Sequence, residues 1–151
     1  QSYVDKDRIG IWGWSYGGFM TLMSMSDTTV VRPDGKPLFA AGVAVAPVTC
    51  YRYYDTIYTE RFMRTPKENP DGYDDNPISR AANLRGKLLI CQGTADDNVH
   101  YRNVAEYTEA LVQADKDYMQ LSFTNRNHNI SGGNTRNYLF RNIANWFKKN
   151  L

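Results

Sequence analysis

A serine flanked by glycines two places before and two places after it is where chemistry is first legible: Gly13-Trp14-Ser15-Tyr16-Gly17. The stretch follows a short apolar run, Ile9-Gly10-Ile11-Trp12, and precedes another, Phe19-Met20-Thr21-Leu22-Met23. A strand, a sharp turn and a helix in that order lift a serine hydroxyl clear of a sheet. Small residues on either side let the neighbouring backbone pass a strained serine. The next backbone N–H, that of Tyr16, then faces the spot where an oxyanion would form. The N-terminus of the following helix favours negative charge at the same spot.

A serine hydroxyl is a poor nucleophile at neutral pH, so a base must take its proton. The chain has two histidines, His100 and His128. His128 lies in a loop after the last expected strand and one helix before the end, the place for the base. His100 opens a helix directly after an acidic loop and reads as a surface or packing residue. An ionised aspartate would fix the imidazole tautomer and stabilise the imidazolium. Asp96 and Asp97 both stand in Gly93-Thr94-Ala95-Asp96-Asp97-Asn98-Val99, and spacing does not separate them.

The elements that must position these groups alternate. Residues 9–14 read as a strand and 16–26 as a helix, followed by a polar loop over 27–37 with Pro33, Asp34-Gly35 and Pro37. The unbroken apolar run 39–48 suits a strand buried on both faces, as in a parallel sheet. In 49–64 the aromatics Tyr51, Tyr54, Tyr58 and Phe62 fall at helical spacing, as a core-facing stripe or as one wall of a pocket. Residues 66–77 read as a loop, 78–84 as a short helix and 87–91 as a strand. The spacing then predicts a helix over 101–114 with Val104, Leu111 and Val112 inward, a strand over 118–123 and a loop over 124–133. A final helix over 134–149 would turn Tyr138, Leu139, Ile143, Trp146 and Phe147 to the core. This alternation argues for an α/β fold with a mainly parallel sheet, whose ligands bind at the C-terminal strand ends. Ser15, Asp96 and His128 each follow such an end, in the chain order expected of an α/β hydrolase.

Composition narrows the reading further. At 151 residues with a net charge of +2, the chain is one domain's worth and has no charge block to draw nucleic acid or an anionic membrane. No apolar run is long enough to cross a bilayer. Cys50 and Cys91 form no Cys-x-x-Cys or Cys/His cluster, so no metal is expected and two buried thiols are. The opening Gln-Ser-Tyr-Val-Asp has a mid-domain character, and the chain is expected to be a fragment.

Gly13-Trp14-Ser15-Tyr16-Gly17-Gly18, Ala46-Pro47-Val48, Tyr53-Tyr54-Asp55, Tyr58-Thr59-Glu60-Arg61 and Gly93-Thr94-Ala95-Asp96-Asp97-Asn98-Val99-His100 together resemble the prolyl oligopeptidase family, in its dipeptidyl peptidase IV branch. The resemblance runs over nearly the whole chain and implies the C-terminal portion of an α/β-hydrolase domain, here residues 1–151. The first strands of that domain and the family's β-propeller would be absent. It implies Ser15 as nucleophile, His128 as base, Asp96 rather than Asp97 as acid and the Tyr16 N–H as an oxyanion donor. Tyr54 and Tyr58 would line a pocket for a penultimate proline, with Val48, Tyr51 and Val99 as further apolar walls. Asn98 and Tyr54 would hold the amino-terminal end of the substrate. The implied activity releases X-Pro or X-Ala dipeptides from peptide N-termini without metal or cofactor. It also implies a parent that is periplasmic, secreted or membrane-anchored and often dimeric, partly through the terminal helix with Trp146 and Phe147. The family's propeller glutamates, which bind the free amine, and its earlier oxyanion tyrosine would be missing, so the 151-residue chain alone is expected to be inactive or weak. Related peptidase or esterase activities share the elbow and triad, and a non-catalytic module is the reading from another class. One departure concerns Asn127-His128-Asn129, where the family usually has acid-His-Gly; Asn129 is expected to take a backbone conformation suited to glycine.

Overall fold

The computed structural model describes residues 3–151. Four strands, β1 (Gly10–Trp14), β2 (Ala41–Val45), β3 (Lys87–Gly93) and β4 (Met119–Phe123), form one sheet in the order β1-β2-β3-β4. Every neighbouring pair is parallel, with Trp14 opposite Val45, Val45 opposite Cys91 and Gly93 opposite Phe123. The C-terminal strand ends therefore share one edge of the sheet. The α/β architecture with a parallel sheet, expected from the alternation, is the one observed.

Helices cover both faces. Leu22 and Met25 of α1 (Tyr16–Ser26) pack with Ala44, Leu88 and Ile90 and with Val104, Tyr107 and Leu111 of α4 (Arg102–Gln113). On the opposite face Val43, Val45, Leu89 and Cys91 meet Leu139 and Ile143 of α5 (Thr135–Asn150). Successive β2 residues thus serve opposite cores, which explains a run without polar alternation; all five are buried. Cys50 and Cys91 are buried, free thiols. Burial raises both, Cys91 to about 12.

Several boundaries differ from the sequence reading. The aromatic stretch is not one helix. Tyr51–Tyr53 makes a single 3-10 turn, the chain extends at Tyr54 and Asp55, and α2 (Thr56–Met63) starts afresh. Asp55 caps it by accepting from the Tyr58 N–H at 2.8 Å, a local bond that outcompetes a continuous helix. The expected loop 66–77 holds a one-turn helix, α3 (Pro70–Asp74), with Asn69 as cap and Pro70 at its first position. The short helix at 78–84 shrinks to a 3-10 turn, Ala81–Asn83. On α4, Tyr107 is fully buried and Val112 is exposed. On α5, Tyr138 is exposed, its ring edge-on to Phe123, while Trp146 and Phe147 pack half-buried against the core.

Candidate active site

The site begins where β1 ends. Ser15 has φ 60° and ψ −114°, a conformation costly for any residue with a Cβ. Two backbone bonds hold it there: the Ser15 N–H donates to Val45 O at 2.8 Å, and the Phe19 N–H to Ser15 O at 3.0 Å. Space is tight at Gly13, where an added Cβ would fall on the Gly17 backbone. A Cβ on Gly17 itself would meet nothing, so crowding demands glycine on only one side of the serine, not on both as the sequence pattern suggests. Helix α1 starts at Tyr16, which leaves the Tyr16 N–H without an intrahelical acceptor. Ser15 Oγ forms no cap to this helix and is free for another partner.

Asp96 and His128 meet. His128 Nδ1 lies 2.8 Å from Asp96 Oδ2, and the Asp96 side chain is fully buried. Asp96 Oδ1 accepts from the backbone N–H groups of Asn98 at 3.0 Å and Val99 at 2.9 Å. Oδ2 also accepts from Gln92 Nε2 at 3.1 Å. The partners other than His128 all offer N–H groups, and an ionised carboxylate only accepts. His128 Nδ1 is then the donor in this pair, and in the neutral imidazole Nε2 is the nitrogen that keeps its lone pair.

The loops that carry this pair are bonded to each other. The Thr94 N–H donates to Phe123 O, the Ala95 N–H to Arg126 O and the Asn125 N–H to Thr94 Oγ1. The chains run so close that a Cβ on Gly93 would collide with Arg126 O. The histidine loop is also tied to the elbow: Trp14 Nε1 donates to His128 O at 3.1 Å. Arg136 reinforces the tie by donating to Asn129 O while its guanidinium lies over the Trp14 ring. Positive φ in this loop falls on Asn125, Ile130, Gly132 and Gly133; Asn129, expected to need it, does not have it.

Asp97 and His100 go elsewhere. Both are exposed and line a polar hollow with Tyr53, Tyr54, Asp55 and Asn98. Of the two aspartates left open by spacing, Asp96 is the one bonded to His128.

Beside Ser15 lies a cavity of about 220 Å³ walled by Trp14, Tyr16, Val48, Tyr51, Tyr54 and Tyr58. Three tyrosines form a box: Tyr54 stands edge-on to both Tyr51 and Tyr58, with centroids 6.3 and 5.4 Å away, while Tyr51 and Tyr58 lie near parallel at 6.5 Å. Val99 is fully buried behind it, packed with Val48 and Tyr51. Tyr54 Oη donates to Asn98 Oδ1 at 2.7 Å, joining the box to the acid turn. Burial, with the neighbouring Asp55 and Tyr58, raises the Tyr54 phenol and keeps it a neutral donor. Burial raises Tyr51 further. The floor is anchored by buried Asn103, whose Oδ1 accepts from the Thr49 N–H while its backbone O accepts from Thr49 Oγ1. The break between the 3-10 turn and α2 thus gathers by extended chain the tyrosines that helical spacing had grouped.

The chain as a whole is similar to known proteins. The model of the prolyl oligopeptidase family matches residues 1–151. The chain belongs to that family. It is 45% identical over 147 residues to a protein of Ajellomyces capsulatus described as a probable dipeptidyl-aminopeptidase B, covering 95% of this chain and 15% of that one. A protein of the same description in Neurospora crassa is 41% identical over 149 residues, covering 97% and 16%. Among solved structures, dipeptidyl peptidase 4 of Porphyromonas gingivalis superposes with a TM-score of 0.91 at 51% identity, over 99% of this chain and 20% of that one. The chain thus spans between 15% and 20% of the length of these relatives. Both the family and its dipeptidyl peptidase IV branch are those the motifs had suggested.

Gln92, Trp14 and Asn103 were not singled out for the site by sequence. Trp14 lies inside the elbow motif, which was a signal. Gln92 and Asn103 take their places through contacts distant in sequence, and no local pattern marks them.

Proposed function

We propose that this chain carries the nucleophile, base, acid and proline pocket of a serine dipeptidyl peptidase that releases X-Pro or X-Ala dipeptides from peptide N-termini. The observation that carries the reading is the Asp96–His128 pair at 2.8 Å, tied through Trp14 to a strained Ser15 that opens on a tyrosine box. In this reading Ser15 Oγ attacks the carbonyl of the penultimate residue while His128 Nε2 takes its proton. Asp96 stabilises the resulting imidazolium, and the Tyr16 N–H donates to the oxyanion. His128 returns the proton to the leaving amine. Water then repeats the sequence on the acyl-enzyme. The box excludes long flexible side chains and accepts a flat, rigid pyrrolidine or a methyl group. The Tyr54–Asn98 pair borders this pocket and presents polar atoms toward the amino-terminal residue.

The test is cleavage of Gly-Pro-p-nitroanilide by the full-length protein, with the N-blocked substrate alongside. Release of nitroaniline from the free form alone is the expected result. Cleavage of both would move the protein to an endopeptidase or broader hydrolase. Cleavage of neither, with Ser15 still labelled by a phosphonate, would leave a working triad with another substrate.

A further inference from the structure

Gln92 is the penultimate residue of β3, fully buried, and takes no part in the steps above. Its Nε2 donates to Asp96 Oδ2 at 3.1 Å and to Val99 O at 3.0 Å. A carboxylate and a carbonyl can only accept, so the amide orientation is forced: nitrogen toward the acid turn, oxygen away. The oxygen, Oε1, has no partner among the described residues. A buried amide oxygen left unpaired costs about 1–3 kcal/mol. A leucine or methionine would fill the same volume without that cost. Placement of the nitrogen is what the amide provides.

Asp96 Oδ2 accepts from both His128 Nδ1 and Gln92 Nε2. Oδ1 is held by the backbone of its own turn, through the N–H groups of Asn98 and Val99. Gln92 is therefore the side chain that fixes the oxygen facing the imidazole. By bonding Val99 O as well, it closes the turn from Gly93 to Val99 upon itself and pins the residue behind the proline pocket. Rotation of the Asp96 carboxylate, which would swing Oδ2 off His128, would break the Gln92 bond.

We infer that Gln92 is a positioning residue for the catalytic dyad, setting the direction and strength of the Asp96–His128 hydrogen bond through a shared carboxylate oxygen. The inference rests on the triad reading above. Its effect is on the chemical step and not on substrate affinity, because Gln92 does not line the cavity beside Ser15.

Two variants of the full-length protein test it. Gln92→Met keeps the volume and removes the donor; Gln92→Glu keeps the shape and replaces the donor with a titratable acceptor. Two rates are read: phosphonylation of Ser15 by a small alkyl fluorophosphonate, which needs the triad but no dipeptide, and turnover of Gly-Pro-p-nitroanilide. In both variants the phosphonylation rate and kcat fall on the order of ten- to a hundred-fold, the range of a small misplacement of a reacting group. KM stays within about two-fold, as for an interaction that matters only in the transition state. Folded Gln92→Met with wild-type rates would overturn the inference, as would a rise in KM at unchanged kcat. Failure of both variants to fold would also overturn it, since Gln92 would then be a packing residue. Wild-type protein that phosphonylates but does not cleave the dipeptide substrate sinks the dipeptidyl reading alone, and Gln92 is still judged on phosphonylation. Wild-type protein that does not phosphonylate takes both down.

Discussion

Replacing Asp96 by asparagine probes the site most directly, because the structure says which atoms would then conflict. Asp96 accepts four N–H groups, two on each oxygen. An amide has one oxygen to offer. The Asn98 and Val99 N–H groups belong to the turn backbone and retain that oxygen at the Oδ1 position. The NH2 group then falls at the Oδ2 position, facing the Gln92 NH2 and the His128 Nδ1–H, donor against donor. His128 escapes by moving its proton to Nε2, which leaves no lone pair to receive the Ser15 proton. Gln92 cannot escape so simply, since turning its amide would aim an oxygen at Val99 O. The stranded buried donor costs about 1–3 kcal/mol of stability, or a fall in Tm of roughly 2–12 °C for a domain of this size. The catalytic loss is far larger, on the order of 10⁴, as the same change produces in an unrelated serine protease; that corresponds to about 5.4 kcal/mol. The assay is kcat and KM on Gly-Pro-p-nitroanilide with the full-length protein, with Ser15 phosphonylation in parallel. Asp97→Asn is the control and stays within about two-fold of wild type, as expected for an exposed surface substitution. Asp96→Asn retaining more than a tenth of wild-type kcat, or Asp97→Asn sharing its loss, would refute the reasoning.

Three further outcomes are expected. Tyr54→Phe removes the 2.7 Å bond to Asn98 but keeps the ring in the box; kcat/KM for free Gly-Pro substrates falls by about 0.5–1.5 kcal/mol, or roughly two- to twelve-fold, and an unchanged value would remove the pair from substrate binding. Trp14→Phe deletes the indole N–H that holds His128 O; phosphonylation slows by about ten-fold or more with Tm lowered only slightly, whereas an unchanged rate would mean that the histidine loop holds its own position. Burial keeps Cys91 protonated to about 12, against 9.0 when exposed, and also raises Tyr51 and Tyr107. A raised folded value makes its stability contribution complete below 9.0 and lost as pH climbs toward 12; the urea midpoint accordingly falls over that window, and a flat midpoint contradicts the burial.

The placement of Ser15, Asp96 and His128 at one edge of the sheet was legible because each follows a strand, and parallel strands end on one edge. Asp96 and Asp97 are chemically the same and adjacent, and only the turn decides which carboxylate points inward. The one-turn α3 was announced by Asn69-Pro70, a cap followed by a residue that begins helices, and was submerged in a stretch rich in loop formers. Asp55 was a similar signal, outweighed by the aromatic spacing around it. Tyr138 and Val112 sit at the margins of their helical stripes, where a small rotation decides exposure. Gln92 carries no local signature at all: its partners are set by the turn that follows it and by the loop after β4.

The acid turn and the histidine loop extend from adjacent strands and are bonded to each other, while the serine belongs to β1, with β2 between. Mechanically, this makes a two-part device with one internal coordinate. Because their loops are bonded to each other, a deformation of the sheet between β1 and β3 would change the Asp96–His128 separation least. The same deformation is transferred to the gap between Ser15 and His128, and the Trp14 indole is a strap across that gap. A load on the β1 side of the sheet would therefore act on the placement of Ser15 before it acts on the Asp96–His128 pair. Reactivity in such a device is set by alignment of two preassembled halves.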